Sequence, residues 1–406
     1  MADDALDDML AYYQRELSYL HDRGADFARR YPKIAHRLEL SGTDSRDPHV
    51  DRLIESFAFL TARLQRNIDS EFPEIPAALL SVLYPHLMAP IPSMAIAHFA
   101  VDEGQARAAQ GFTLPRATPI FAESLGSARE RLTCRFRTGY PVTLWPIEVT
   151  GADLVPADAF DFALNVKGCV SVLRLRLTCL GQWSFAEVTP PGLRFFINAD
   201  GATAGAVYEL LFGDLLGVAV LPEGASMPVA RLAAETVLPV GFALDEGLLP
   251  YPDNAHLGYR LIQEYFTFPE KFHFFEATGL PPLKPHKSVD LLFLLGGHPR
   301  RRLSLSGKNF VLGAAPIVNL FPKTTEPIRV EQTASEYLLI PDNRWERSTE
   351  IHSILKVSAT TDQADDSRSF RPFFSYDHHA AMTEARAFWM ARRRPSVSRS
   401  VAARRG

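Results

Sequence analysis

Only three of the 406 residues are cysteine, Cys134, Cys169 and Cys179. An odd number with no metal-type spacing argues against a disulfide framework or a zinc ribbon, and reads as reduced, semi-buried thiols of a cytosolic protein. Long apolar runs are also missing. The nearest, Val207 to Leu221, is interrupted by Glu209 and Asp214, so nothing approaches the length needed to span a bilayer. Charge of one sign is scarce too: 43 Lys and Arg stand against 47 Asp and Glu, a net charge of −4 that gives no bulk attraction for nucleic acid or an anionic membrane. The first residues, MADDALDD, lack the basic start and apolar core of a signal peptide. Catalytic signatures are absent as well: there is no HExxH, GxSxG, GxxxxGK[ST], GxGxxG after a strand, CxxC or EF-hand loop.

What is present is an ordinary globular balance, 47% apolar and 22% charged, in a chain long enough for roughly two or three domains. The strongest local pattern runs from Asp47 to Ser93. Asp47 and Pro48 form a helix-start signal, the carboxylate as cap and the proline at a position that needs no N–H. Val50, Leu53, Ile54, Phe57, Leu60, Leu64 and Ile68 then recur at three- and four-residue steps, which places them on one helical face. Phe59 lies off that stripe, so a second surface of the same helix is also expected to be covered. This helix should end near Phe72, before Pro73, with a shorter one from Pro76 to Leu83. An earlier helix is expected over Ala5 to Arg30, with acids near its start, Arg29 and Arg30 near its end, and Pro32 closing it.

After Pro92 the apolar period shifts from about 3.6 to 2. Strands are expected at Met94 to Val101, Leu132 to Thr138, Val142 to Val149, Val289 to Leu295, Tyr337 to Ile340 and Glu350 to Val357. The cleanest is Ser171 to Leu180, where Leu173, Leu175, Leu177 and Cys179 face one side and Arg174, Arg176 and Thr178 the other, as in a half-buried antiparallel strand. Helices are expected around Ala204 to Phe212 and Gly258 to Tyr265. The second feeds an aromatic run to Phe275 that reads as packing, with a small-ligand platform as the weaker alternative. Thr360 to Ser369 reads as a polar linker, and the basic end as a tail without periodicity.

Candidate chemistry is thin. GGHPRRR, Gly296 to Arg302, could hold an anion but reads first as a solvated hairpin tip. LSLSGKNF around Gly307 and Lys308 lacks the first glycine of a phosphate loop and reads as a turn. His378 and His379 are adjacent and would point to opposite faces of a strand, which disfavours a shared metal. His49, His86, His98 and His273 read as core or boundary residues. Asp102 with Glu103, and Asp365 with Asp366, fall in polar turns, and nothing promotes either as a glycosidase dyad.

Several segments together resemble one family. YYQRELSYLHDRGADFARRYPKIAHRL (Tyr12 to Leu38), DPHVDRLIESFAFLTARLQRNIDSEFPE (Asp47 to Glu74), LLSVLYPHLMAPIPSM (Leu79 to Met94), CRFRTGYPVTLWPIEV (Cys134 to Val149), GYRLIQEYFTFPEKFHFF (Gly258 to Phe275), PIVNLFPKTTEPI and EYLLIPD are similar, in order, to the TssF (VasA, ImpG) baseplate subunits of type VI secretion systems. The resemblance implies a structural protein with no enzymatic activity and no cofactor, metal or catalytic residues. It implies two TssF copies on one TssG, with TssK, TssE and a neighbouring TssF as further partners, in the cytoplasm at the inner face of the bacterial inner membrane. The family's core-bundle role maps onto the N-terminal helices, and Leu53, Phe57, Phe59, Leu60, Leu64, Tyr84, Leu87 and Met88 are the expected partner-contact residues. Past Phe388 to Arg394 the sequence departs from the family into PSVSRSVAARRG, which suggests a shortened product whose last residues carry no fold.

The resulting expectation is an α+β chain. It has a helical segment over 1–92, mainly antiparallel β-rich domains with a few short helices over 93–250 and 251–390, and a basic tail over 391–406. A cytosolic β-rich carbohydrate-active hydrolase is the alternative.

Overall fold

The structure is a computed structural model. It describes residues 2–37, 40–41, 44–45, 48–71, 74–101, 108–123, 133–252, 255–331, 333–344, 348–361, 364–373 and 388–393. The chain divides into two units, Met1–Met88 and Ala89–Gly406.

The first unit is a helical hairpin. Helix α1 spans Ala2–Arg30, α2 Pro32–Arg37, α3 Pro48–Glu71 and α4 Glu74–Leu83, followed by a 3-10 turn at Pro85–Met88. Pro32 interrupts the first helix as expected but also opens α2, because a proline fits the first helical position as well as it breaks an interior one. Helix α3 begins at Pro48; its expected capping residue Asp47 lies outside the described residues. Tyr12 Oη donates to Asp69 at 3.0 Å and Arg66 Nε to Asp8 at 3.1 Å, which fixes α1 and α3 antiparallel.

The second unit is β-rich and α+β in class. Its centre is a five-stranded antiparallel sheet, in spatial order Ala230–Leu232, Leu215–Pro222, Ser288–Leu295, Ser171–Cys179 and Ile147–Pro156. The Ser171–Cys179 strand alternates as its sequence predicts. Leu173, Leu175, Leu177 and Cys179 are buried in the main core, while Arg174 and Arg176 bind Asp290 of the next strand at 2.8 and 2.9 Å. Ser288–Leu295 is buried along its whole length, because Val289, Leu291, Phe293 and Leu295 enter that core while Leu292 and Leu294 pack on Phe162 and Ala163 behind the sheet. A continuous apolar run in an antiparallel strand is thus explained by cover on both faces.

A second sheet, Val237–Val240, Phe274–Thr278, Gly192–Ile197 and Phe310–Val311, supplies the opposite wall. Phe195 stacks on Phe275 with ring centroids 5.0 Å apart, and Phe275 meets Phe293 of the central sheet edge-on. Val207, Leu210 and Leu211 of the Gly201–Gly213 helix fill the same core, and Asp200 caps that helix by accepting from Ala202 and Thr203 N–H. A third sheet joins Met94–His98, Ala314–Val318, Thr133–Thr138 and Pro119–Glu123. Strands from either side of residue 250 alternate within the first two sheets, so the division expected there runs through them.

Other expectations are corrected. Val142 to Val149 is two strands, Val142–Leu144 and Ile147–Pro156, because Pro146 interrupts the run and cannot donate to a ladder. Tyr337 to Ile340 is not a strand: Tyr337 Oη accepts from Glu331 N–H at 2.7 Å, which folds the segment on itself, and Leu338 faces solvent. Glu350 to Lys356 is irregular, and the strand begins only at Val357. The expected linker falls within an antiparallel pair, Val357–Thr361 with Ala364–Pro372, since a ladder is held by backbone groups that polar side chains leave free. GGHPRRR is not a hairpin tip, because the strand before it pairs with Leu215–Pro222 and Ser171–Cys179 on its two sides and not with residues C-terminal to the loop. His378, His379, Asp102, Glu103 and 394–406 lie outside the described residues, as do the side chains of Asp365 and Asp366.

Candidate partner interface

The α1–α3 hairpin closes through small residues. Ala58 and Ala62 on α3 are fully buried, and they share their face with Gln65 and Asp69. At 100° per residue this face points about 140° away from the line of Leu53, Phe57, Leu60 and Leu64. That line is therefore left outside: Leu53 is 70% exposed, and Phe57, Leu60, Leu64 and Ile68 are each more than half exposed. Of the predicted stripe, only Val50 and Ile54 are half-covered. Phe59 is exposed on a separate flank, 51%. Tyr84, Leu87 and Met88 are exposed as well. All eight residues predicted for partner contact thus lie at the surface of the first unit.

Sequence reasoning missed three neighbours in the chain. Ile75, Leu79 and Leu83 recur every four residues on α4 and are all exposed. Their spacing was the available signal. Packed helices normally turn their large apolar residues inward, whereas this hairpin buries alanines and displays Leu and Phe, leaving an exposed apolar face.

A second displayed face lies in the β-rich unit. The Leu257–Thr267 helix has its polarity reversed: Arg260 and Glu264 are buried, while Tyr259, Ile262, Tyr265 and Phe266 are exposed, Phe266 by 80%. The aromatic run from Tyr265 to Phe275 is therefore packing only in part. Phe272, Phe274 and Phe275 are core, whereas Tyr265 and Phe266 line an apolar groove of about 400 Å³ with Tyr208, Phe242 and Phe272. Arg260 and Glu264 at an i, i+4 step opposite the aromatics were the legible sign.

Beneath that helix sits a buried charge cluster. Glu264 accepts from the N–H groups of Leu248 at 2.7 Å and Leu249 at 3.0 Å and pairs with Lys271 Nζ; Arg260 donates to the carbonyls of Leu244 and Ala243. Burial pulls the Lys271 ammonium below its usual range, against the attraction of Glu264. Burial, then the charges of Glu246 and Glu264, push the Tyr140 phenol well up. Each Glu264 oxygen has a partner and Glu264 and Lys271 are fully enclosed, so the pair is poorly placed to reach a substrate. Among the described residues the aromatic groove has no carboxylate in its lining, and burial lowers the pKa of its one imidazole, His273. Among the described residues no group of three His, Cys, Asp or Glu could hold a metal ion, and no helix is long and apolar enough to cross a membrane.

The remaining candidates are ordinary surface or boundary residues. His49 and His98 are exposed rather than core, and His86 and His273 are half-buried. Arg300 pairs with Glu209 at 3.3 Å, and Arg301 reaches Thr203 at 3.1 Å and Asp200 at 3.9 Å, so these two GGHPRRR donors are turned onto the Gly201–Gly213 helix. Gly307 opens a 3-10 turn at Gly307–Asn309 rather than a phosphate loop.

With these surfaces in view, comparison with known proteins decides the family. The model described as "Type VI secretion system, TssF" matches residues 5–406. The chain belongs to the TssF family. Type VI secretion system component TssF1 of Pseudomonas aeruginosa PAO1 is 33% identical to it, over 98% of this chain and 65% of that protein. A cryo-electron microscopy structure of the type VI secretion system TssK-TssF-TssG baseplate subcomplex contains a chain that matches with a TM-score of 0.64 and 26% identity, over 82% of this chain and 60% of that one. The chain therefore spans just under two thirds of the curated TssF relative.

Proposed function

We propose that this chain is a structural subunit of a type VI secretion baseplate and carries no enzymatic activity. It docks a helical partner through the outward stripe of α3, with α4 and the Tyr84–Met88 segment beside it. The partner is TssG, with TssK, TssE and a neighbouring TssF completing the assembly at the cytoplasmic side of the inner membrane. The supporting observation is the hairpin's inside-out packing, with Ala58 and Ala62 buried and Leu53, Phe57, Leu60 and Leu64 displayed. Family membership and the matched chain's presence in a subcomplex with TssK and TssG support the choice of partner. A carbohydrate-active hydrolase gains no support from an aromatic groove without carboxylates.

The test is co-expression with the TssG counterpart from the same secretion cluster, followed by size-exclusion chromatography. Phe57→Asp with Leu64→Asp is expected to abolish co-elution while circular dichroism stays native. Co-elution of the folded double variant would sink the interface assignment.

A further inference from the structure

Leu53, Phe57, Leu60 and Leu64 follow each other at steps of four, three and four. This is the spacing of a coiled-coil seam, in which side chains of one helix enter the gaps of a facing one. The two flanks of the seam differ. Val50 extends the seam one step toward the start of the helix, and on one side of it stand Ile54 and Thr61, neither charged. On the other stands Ser56, and beyond it Arg52, Phe59 and Arg63 form a single row at steps of seven and four, about a quarter to a third of a turn from the seam and all exposed. The two arginines sit about 16 Å apart along the helix axis. Neither makes an ion pair among the described residues, and Arg66, one step closer to α1, is already engaged by Asp8. Glu55 lies beyond the row on the α1 side without bridging to either arginine.

We propose that the occupant of this face is an α-helix whose apolar seam repeats at three- and four-residue steps and whose flank over the Arg52–Phe59–Arg63 row is acidic, with carboxylates about three turns apart. The inference rests on the docking reading above and adds the partner's chemistry. Two long cations that make no ion pair among the described residues, one residue row out from an apolar seam, match a carboxylate flank by charge and repel a basic one. Such charges at the edge of an interface act mainly on the rate of encounter, whereas the seam sets the lifetime of the complex.

The experiment uses the full 406-residue chain and the co-purified helical partner. Association and dissociation rates are measured at low and high ionic strength for the parent, for Arg52→Glu with Arg63→Glu, and for Phe57→Asp with Leu64→Asp. The charge-reversed chain is expected to associate about tenfold more slowly at low salt, and the difference to vanish at high salt where charges are screened. Equal association rates at low salt, or a parent whose association does not slow as salt is added, would overturn the acidic-flank proposal while leaving the docking reading intact. Unchanged binding by the seam variant would overturn both. Circular dichroism confirms the fold of each variant, and all four substituted positions are exposed, so a native spectrum is expected.

Discussion

Arg66 Nε donates to Asp8 at 3.1 Å, joining the first turns of α1 to the last turns of α3 across 58 residues of sequence. The pair is half-exposed and adds little energy of its own. It marks a register in which α1 covers the alanine face of α3 and leaves the leucine face free.

Substitution on the two faces of α3 should separate cleanly. Leu53→Gln or Leu64→Gln, on the exposed side, should alter the unfolding free energy by no more than about 0.5 kcal/mol. Ala58→Leu or Ala62→Leu, which force extra volume between α1 and α3, should each cost about 1–3 kcal/mol. Chemical denaturation of the four variants measures both, and the reverse order would show that the hairpin packs on its leucine face.

Phe275→Ala should be among the most damaging single changes in the β-rich unit. Its ring stacks on Phe195 and meets Phe293 and Phe310 edge-on, joining two sheets through one side chain. Truncation should cost about 3–5 kcal/mol, read as a lowered denaturation midpoint with an unchanged slope.

Lys271→Met should be more harmful than removal of an exposed ion pair such as Arg300 with Glu209. It strips the nearer cation from Glu264 and leaves an enclosed carboxylate with two backbone N–H groups and only the Arg260 guanidinium, 3.9 Å away. Breaking such a buried pair should cost about 3–5 kcal/mol, whereas Arg300→Ala should fall within about 1 kcal/mol. Paired melting curves decide between them.

Gly307→Ala should destabilise although the residue sits in a surface turn. A Cβ there would collide with the Val149 carbonyl oxygen and lie 2.9 Å from the Thr150 carbonyl carbon, both backbone atoms that cannot rotate away. The expected loss is about 1–3 kcal/mol, visible as a lower melting temperature.

Alkaline pH gives a fifth test. Burial pushes the Cys179 thiol up from 9.0 to about 11. Between these values the folded chain retains a proton that the unfolded chain releases, so stability present below pH 9 is lost as pH rises. Cys179→Ala should flatten the fall of the unfolding midpoint across that window, and Cys179 should resist thiol reagents at neutral pH. A parent and variant with the same slope would place the thiol in solvent.

Periodicity alone fixed the α1 and α3 helices, the alternating Ser171–Cys179 strand and the Gly201–Gly213 and Leu257–Thr267 helices, because their apolar spacing follows from 3.6- and 2-residue repeats within a short window. Family-like segments in unbroken order likewise placed the chain among TssF proteins, and the apolar surplus of α3 pointed to a docking surface. Which face of α3 remains open was not legible there, since a stripe of Leu and Phe reads the same whether it covers a neighbour or awaits one. Only the α1–α3 register decided that the alanines are inside. The same holds for the reversed Leu257–Thr267 helix, whose charges are buried because Leu248, Leu249 and Lys271 converge on Glu264 from sequence positions seven to sixteen residues away. Local pattern sets which residues share a face; the partners brought by the rest of the chain set which way that face turns.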